Sequence, residues 1–141
     1  MGKINLGRVV AGGLLAGAVL NVYDFVMNGV ILADGWNAAM TALGKGEMGG
    51  SLIMWFVLFD FLFGIWIVWV YAAIRPRFGP GPKTAAIAGL AGWFLMGFMH
   101  TISEAPMGIF PANLYWVNTV AALVMCPVAG IVGAWPYQEA A

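Results

Sequence analysis

Charge is scarce in this chain. Six lysines and arginines face six acids in 141 residues, 9% charged in all, against roughly 25% in a soluble domain. So little charge cannot cover a water-facing surface, which excludes an ordinary soluble globular fold. The net charge of zero excludes the basic footprint of a nucleic-acid partner. Cysteine is limited to Cys126, so no intrachain disulfide forms and thiols say nothing of the compartment. Histidine is limited to His100, which removes the paired imidazoles of H-E-x-x-H zinc sites. No G-x-S-x-G elbow points to a hydrolase. The glycines of residues 11–17 do not form a dinucleotide fingerprint.

What is present is apolar. Hydrophobic residues make up 62% of the chain and mean hydropathy is +0.90. Twenty glycines and seven tryptophans suit helices that approach closely and aromatic rings at a membrane interface. Four runs approach the ~20 residues that a membrane crossing needs. They read as spans at about 9–32, 51–74, 84–104 and 113–134 of a single transmembrane domain covering 1–141. The first run outlasts the ~7–15 residue core of a signal peptide and no A-x-A cleavage site follows it. Gly13 and Gly17 set a G-x-x-x-G contact in the first span. Asp34 is placed to cap a short helix carrying Trp36, Met40 and Leu43, with Lys45 and Glu47 beyond. That helix reads as lying on the membrane surface. Proline, glycine and three bases make residues 75–83 a loop, and Pro127 is placed to kink the fourth span.

Lys3, Arg8, Arg75, Arg77 and Lys83 fall on one side of four spans and Lys45 on the other. The positive-inside rule then puts both termini in the cytoplasm. The expected fold is an all-α, integral membrane four-helix bundle, N-in and C-in, with a short external interfacial helix after the first span.

Intramembrane polar groups are costly and mark partners, cavities or pathways. Asn21, Asp24 and Asn28 share one face of the first span. Asp60 lies roughly 13 Å into the second, at 1.5 Å per residue. His100 and Glu104, spaced i, i+4, close the third, and Asn113 and Asn118 open the fourth. All sit in the outer half, which implies a polar pocket opening outward and makes Asn21, Asp24, Asn28, Asp60, His100, Glu104 and Asn118 its ion or proton candidates. Each also has a structural reading, as hydrogen-bond glue between helices or as an Asp60–His100 pair. His100, Glu104 and Asp60 are weak metal candidates, and His100 is chemically able to ligate a haem. The pattern implies no cofactor. Gly13-Leu14 aligns with Gly89-Leu90 in a faint parallel repeat that brings Asp24 onto His100 and Asn28 onto Glu104.

The glycine-rich first span, the stretch Trp36-Asn37-Ala38-Ala39-Met40-Thr41-Ala42-Leu43-Gly44 and the closing Leu123-Val124-Met125 to Gly130-Ile131-Val132-Gly133-Ala134-Trp135 resemble small uncharacterised bacterial four-span membrane proteins of the DUF1761-like type. The resemblance implies this topology and a bacterial inner membrane, and it brings no activity. Tiny loops and the lack of a catalytic motif point to a non-enzymatic accessory or structural subunit of a membrane assembly. Its partners would be the lipid bilayer and other membrane proteins or further copies of itself. A small ion, proton or solute carrier is the alternative, and an enzyme acting on a lipid or quinone, with His100 or Glu104 as base, is the third.

Overall fold

The computed structural model describes residues 2–46 and 49–140; Glu47 lies outside them. Every named element is helical. In chain order these are α1 (Leu6–Ile31), α2 (Ala33–Ala42), α3 (Gly50–Phe78), α4 (Pro82–Met107) and α5 (Ala112–Ala134). All but α2 are long and apolar enough to cross a membrane, and these four pack as a bundle. Contact is densest between α1 and α3 and between α4 and α5, so the bundle is two hairpins laid together.

Local chemistry explains most of the boundaries. The Asn5 side chain accepts the Arg8 backbone N–H at 3.2 Å and caps α1, which satisfies one of the free donors of a helix start. Asp34 does not cap α2. Leu32 stands at the cap without a side-chain bond and Asp34 falls in the first turn, where a carboxylate meets the positive end of the helix dipole. Gly44, with φ 69, ends α2 in the left-handed conformation that glycine adopts freely.

The expected loop at 75–83 begins later than its prolines suggest, because α3 continues through Pro76 to Phe78. Proline near a helix end removes one hydrogen bond, while Arg75 and Arg77 in the last turn favour the carbonyl end of the dipole. The chain turns only at Gly79, whose N–H bonds the Arg75 carbonyl at 2.8 Å. Helix α5 likewise runs through Pro127 as one element. Three stretches depart from α geometry: the last turn of α1 (Met27–Ile31) and the middle of α4 (Trp93–Met99) are π-helical, and α4 ends in a 3-10 turn (Ala105–Met107).

Glycine sets the interhelical distance. A side chain on Gly17 would strike the Phe61 Cα and the Asp60 carbonyl of α3, and one on Gly89 would strike the Pro127 Cα and the Cys126 carbonyl of α5. Gly64 is pressed against Gly13 and Gly17, and Gly130 against Ala85 and Gly89. In a bilayer such close backbone approach, rather than hydrophobic expulsion, drives helix association.

These matched contacts define a structural repeat. Gly17 corresponds to Gly89, Gly64 to Gly130 and Asp60 to Cys126. The buried residues Gly12, Gly13, Ala16, Gly17 and Leu20 of α1 recur at the same spacing as Thr84, Ala85, Ala88, Gly89 and Gly92 of α4. Gly64, Ile67, Val68 and Tyr71 recur as Gly130, Gly133, Ala134 and Tyr137. The register differs by one helical turn from the Gly13–Gly89 alignment. Asp24 therefore does not correspond to His100, nor Asn28 to Glu104.

The equivalent tyrosines meet edge to face, ring centres 5.7 Å apart, between the two hairpins. Around them both termini and the α3–α4 loop are fastened together. Ala140 N–H bonds the Lys3 carbonyl at 3.0 Å, Gly81 N–H bonds the Tyr71 hydroxyl at 3.2 Å, and Arg75 pairs with Glu139 at 3.4 Å. This is the basic end of the bundle. The core behind it is built from Val9, Ala16, Ile67, Val68, Ala85, Ala88 and Ala129. The opposite end carries α2.

Candidate functional site

The sequence-selected polar residues all lie in the half of the bundle toward α2, but they form separate groups. The first is on α1. Asn21 Nδ2 donates to the Gly17 carbonyl at 2.9 Å and, across the helix pair, to the Val57 carbonyl of α3 at 3.4 Å. One turn on, Asn28 Nδ2 donates to Asp24 Oδ1 at 2.6 Å. Asn28 Oδ1 in turn accepts the Trp36 indole N–H from α2 at 2.9 Å. The i, i+4 spacing that places Asp24 and Asn28 on one face thus serves to anchor α2.

The second group joins helices across the bundle. The Tyr23 hydroxyl of α1 lies 2.6 Å from Asn118 Oδ1 and 2.7 Å from the Asn118 carbonyl of α5, and donates its proton to that pair. Thr101 of α4 and Thr119 of α5 share a hydroxyl bond of 2.5 Å in the interior. The Thr119 carbonyl also accepts the Trp93 indole N–H at 2.8 Å, from the first residue of the π-helical stretch. Buried hydroxyls without partners would each cost about 1–3 kcal/mol, so these bonds fix how α4 and α5 face each other.

The third group is nearer the surface. His100 Nε2 and Glu104 Oε1 are 3.3 Å apart, with side chains 44% and 46% exposed. Glu104 Oε2 accepts the Tyr115 hydroxyl at 3.4 Å. Tyr115 and Phe110 both meet the Trp36 ring edge-on, so an aromatic cluster separates this pair from the Asp24 group. Asn113 is exposed at the start of α5.

Asp60 stands apart from all three groups. It is 9% exposed, on the face of α3 that continues through Gly64, Ile67, Val68 and Tyr71 into the core. Its Oδ2 is fully buried and has no hydrogen-bond partner. The Asp60–His100 pair does not form among the described residues, since His100 is engaged with Glu104. Asp60 of α3 and Cys126 of α5 hold equivalent positions in the two hairpins, and both are buried.

No family model matches the chain, and no curated protein or solved structure is similar to it.

The weak metal candidates His100, Glu104 and Asp60 do not come together, and among the described residues no three His, Cys, Asp or Glu side chains converge as a ligand set. Two shallow grooves, of about 320 and 360 Å³, lie beside α2, lined by Ala38, Ala39, Ile109 and Leu114, and between the end of α4 and the start of α5, lined by Ile102, Pro106 and Trp116. Both are mostly apolar, and neither includes Asp24, Asp60, His100 or Glu104.

Sequence reasoning missed Tyr23, Trp36, Trp93, Thr101 and Tyr115. Apart from Trp36 on α2, each is an aromatic or hydroxyl residue inside a span. Such residues pass as apolar filling unless their polar atoms are matched to a partner helix. It also passed over the spacing Gly44-Lys45-Gly46-Glu47-Met48-Gly49, which has the form G-x-G-x-x-G. A helix precedes these glycines where a dinucleotide site needs a strand.

Proposed function

We propose that the protein is a non-enzymatic, multi-pass membrane protein serving as an accessory or structural subunit of a membrane assembly. The observation that carries this reading is how the polar groups are used. Asn21, Tyr23, Asn28, Trp36, Trp93, Thr101, Asn118 and Thr119 all bond to other helices or tie down α2, and the grooves beside them are apolar. The α2-side half of α3 adds to it. Leu52, Ile53, Met54, Trp55, Phe56, Leu58 and Phe59 are all exposed, around the whole circumference of the helix. Lipid or a neighbouring subunit covers such a surface equally well.

In this reading both termini and the α3–α4 loop are cytoplasmic, since five of the six basic residues gather at that end. Helix α2 then lies at the outer interface of a bacterial inner membrane, and the kinship with small four-span bacterial proteins belongs to the same proposal.

The test is the mass of the tagged protein extracted from its own membrane in a mild detergent and measured by native mass spectrometry. A stoichiometric assembly with other chains or copies is expected. A monodisperse monomer in every mild detergent overturns the subunit role. Orientation is tested separately, with single cysteines at Gly44 and Gly79 in a Cys126→Ser background. An impermeant maleimide added to intact cells should label position 44 and spare position 79.

A further inference from the structure

We propose that Asp60 is a reversible proton-binding site at the interface between the two hairpins. The polar groups around it are bonded, while its own Oδ2 is buried without a partner. The carboxyl lies on the core-facing side of α3, at the position that Cys126 occupies in the other hairpin. In secondary transporters built from internal repeats, the repeat interface near the bilayer midplane is where coupling ions bind. Asp60 is within about one turn of the middle of α3.

The surroundings select the ligand. On the helices packed against α3, the titratable groups toward this end are Asp24 and Tyr23 of α1, with the Tyr23 hydroxyl bonded to Asn118, and Cys126 of α5. The titratable pair of α4, His100 and Glu104, is engaged with Tyr115 instead. Among the described residues no lysine, arginine or histidine pairs with Asp60. A buried carboxylate without a counter-charge is costly. A hard metal cation asks for about six or more oxygen ligands, and among the described residues not even three His, Cys, Asp or Glu side chains converge here. A proton needs no cavity. Taken from water, it bonds to a carboxylate oxygen and leaves Asp60 neutral. On release it returns to water and leaves the carboxylate behind. The site stands whether or not the chain belongs to a larger assembly.

The experiment is labelling of the intact chain in liposomes with the apolar reagent dicyclohexylcarbodiimide, which adds to protonated carboxyls, followed by mass mapping. One adduct at Asp60 is expected, its yield falling about tenfold per pH unit above the labelling midpoint, and absent in Asp60→Asn. No adduct at Asp60, or a yield independent of pH, overturns the proposal. Suppression by sodium against choline at equal ionic strength also overturns it, in favour of a metal cation. Infrared difference spectra of the unsubstituted chain need no variant to fold. They should show a carboxylic-acid carbonyl band that disappears with rising pH, and a pH-independent spectrum in that region refutes the site.

Discussion

Replacing Gly64 by alanine tests the fold where it is least forgiving. A Cβ there would lie 2.9 Å from the Gly17 Cα, with the Gly17 nitrogen and the Gly13 carbonyl nearer still. All three are backbone, so no flexible side chain can yield and α1 must move away from α3. Forcing an extra methyl into a tight interior typically costs about 1–3 kcal/mol, and the backbone nature of the clash puts Gly64→Ala toward the upper part of that range. The repeat sharpens the test. A Cβ on Gly130 would lie 2.5 Å from the Ala85 carbonyl oxygen and 3.3 Å from the Gly89 nitrogen, so Gly130→Ala should destabilise by a similar amount. Gly7 is the control, because its nearest neighbour is the Asn5 side chain at 3.6 Å. There alanine should stabilise α1 by up to about 1 kcal/mol through helix propensity alone. Unfolding in mixed micelles against rising SDS, followed by tryptophan fluorescence, measures all three. If Gly64→Ala and Gly130→Ala unfold with Gly7→Ala, the glycine contacts do not hold the hairpins and the repeat reasoning fails.

Trp36→Phe keeps the aromatic cluster but removes the indole N–H that Asn28 accepts, a loss of about 0.5–1.5 kcal/mol. Hydrogen exchange should quicken over residues 33–42 and leave the spans unchanged; equal protection would show that α2 is held by its rings alone. Thr119→Val leaves the Thr101 hydroxyl buried without its partner and should cost about 1–3 kcal/mol. A double-mutant cycle with Thr101→Val should return a coupling of at least about 0.5 kcal/mol, and additivity would refute the bond. His100→Gln should change stability by less than about 1 kcal/mol, because the pair with Glu104 is half exposed. A larger loss in the same SDS titration would mean that His100 is engaged in the interior.

The four spans are legible in the sequence because a membrane-crossing helix needs only length and apolarity. The glycine contact is legible as well, since the G-x-x-x-G spacing of Gly13 and Gly17 is one that lets membrane helices approach closely. What sequence could not supply is rotation. Counting in α-helical turns from Gly89 to His100 treats α4 as regular, whereas Trp93–Met99 is π-helical. A π turn closes its hydrogen bond one residue later than an α turn, so every side chain beyond it is turned from its expected direction. His100 and Glu104 accordingly face Tyr115 near the surface, and the residue that reaches the α5 interior is Thr101. The repeat failed to align for a related reason. Gly13 and Gly17 are equally good matches for Gly89 as letters, and only the backbone each one presses against tells them apart.

The two hairpins match most closely at the basic end, where Tyr71 meets Tyr137 and Gly64 parallels Gly130, and they diverge toward α2. There one hairpin has Asp60 where the other has Cys126. One linker folds into α2, whose Gly35 packs on Leu114 at the start of α5, while the other is a short turn through Gly108 with φ 68. Consequently the beginning of α5 is partly covered, and the corresponding stretch of α3 is bare. A repeat that served only to build a stable bundle would gain nothing from placing an unpaired acid on its interface, since an apolar residue of similar volume there would be neutral or stabilising. The basic end therefore reads as scaffold. Whatever distinguishes this protein from a passive bundle should be sought where its symmetry is broken, at Asp60 between the hairpins and on the uncovered half of α3.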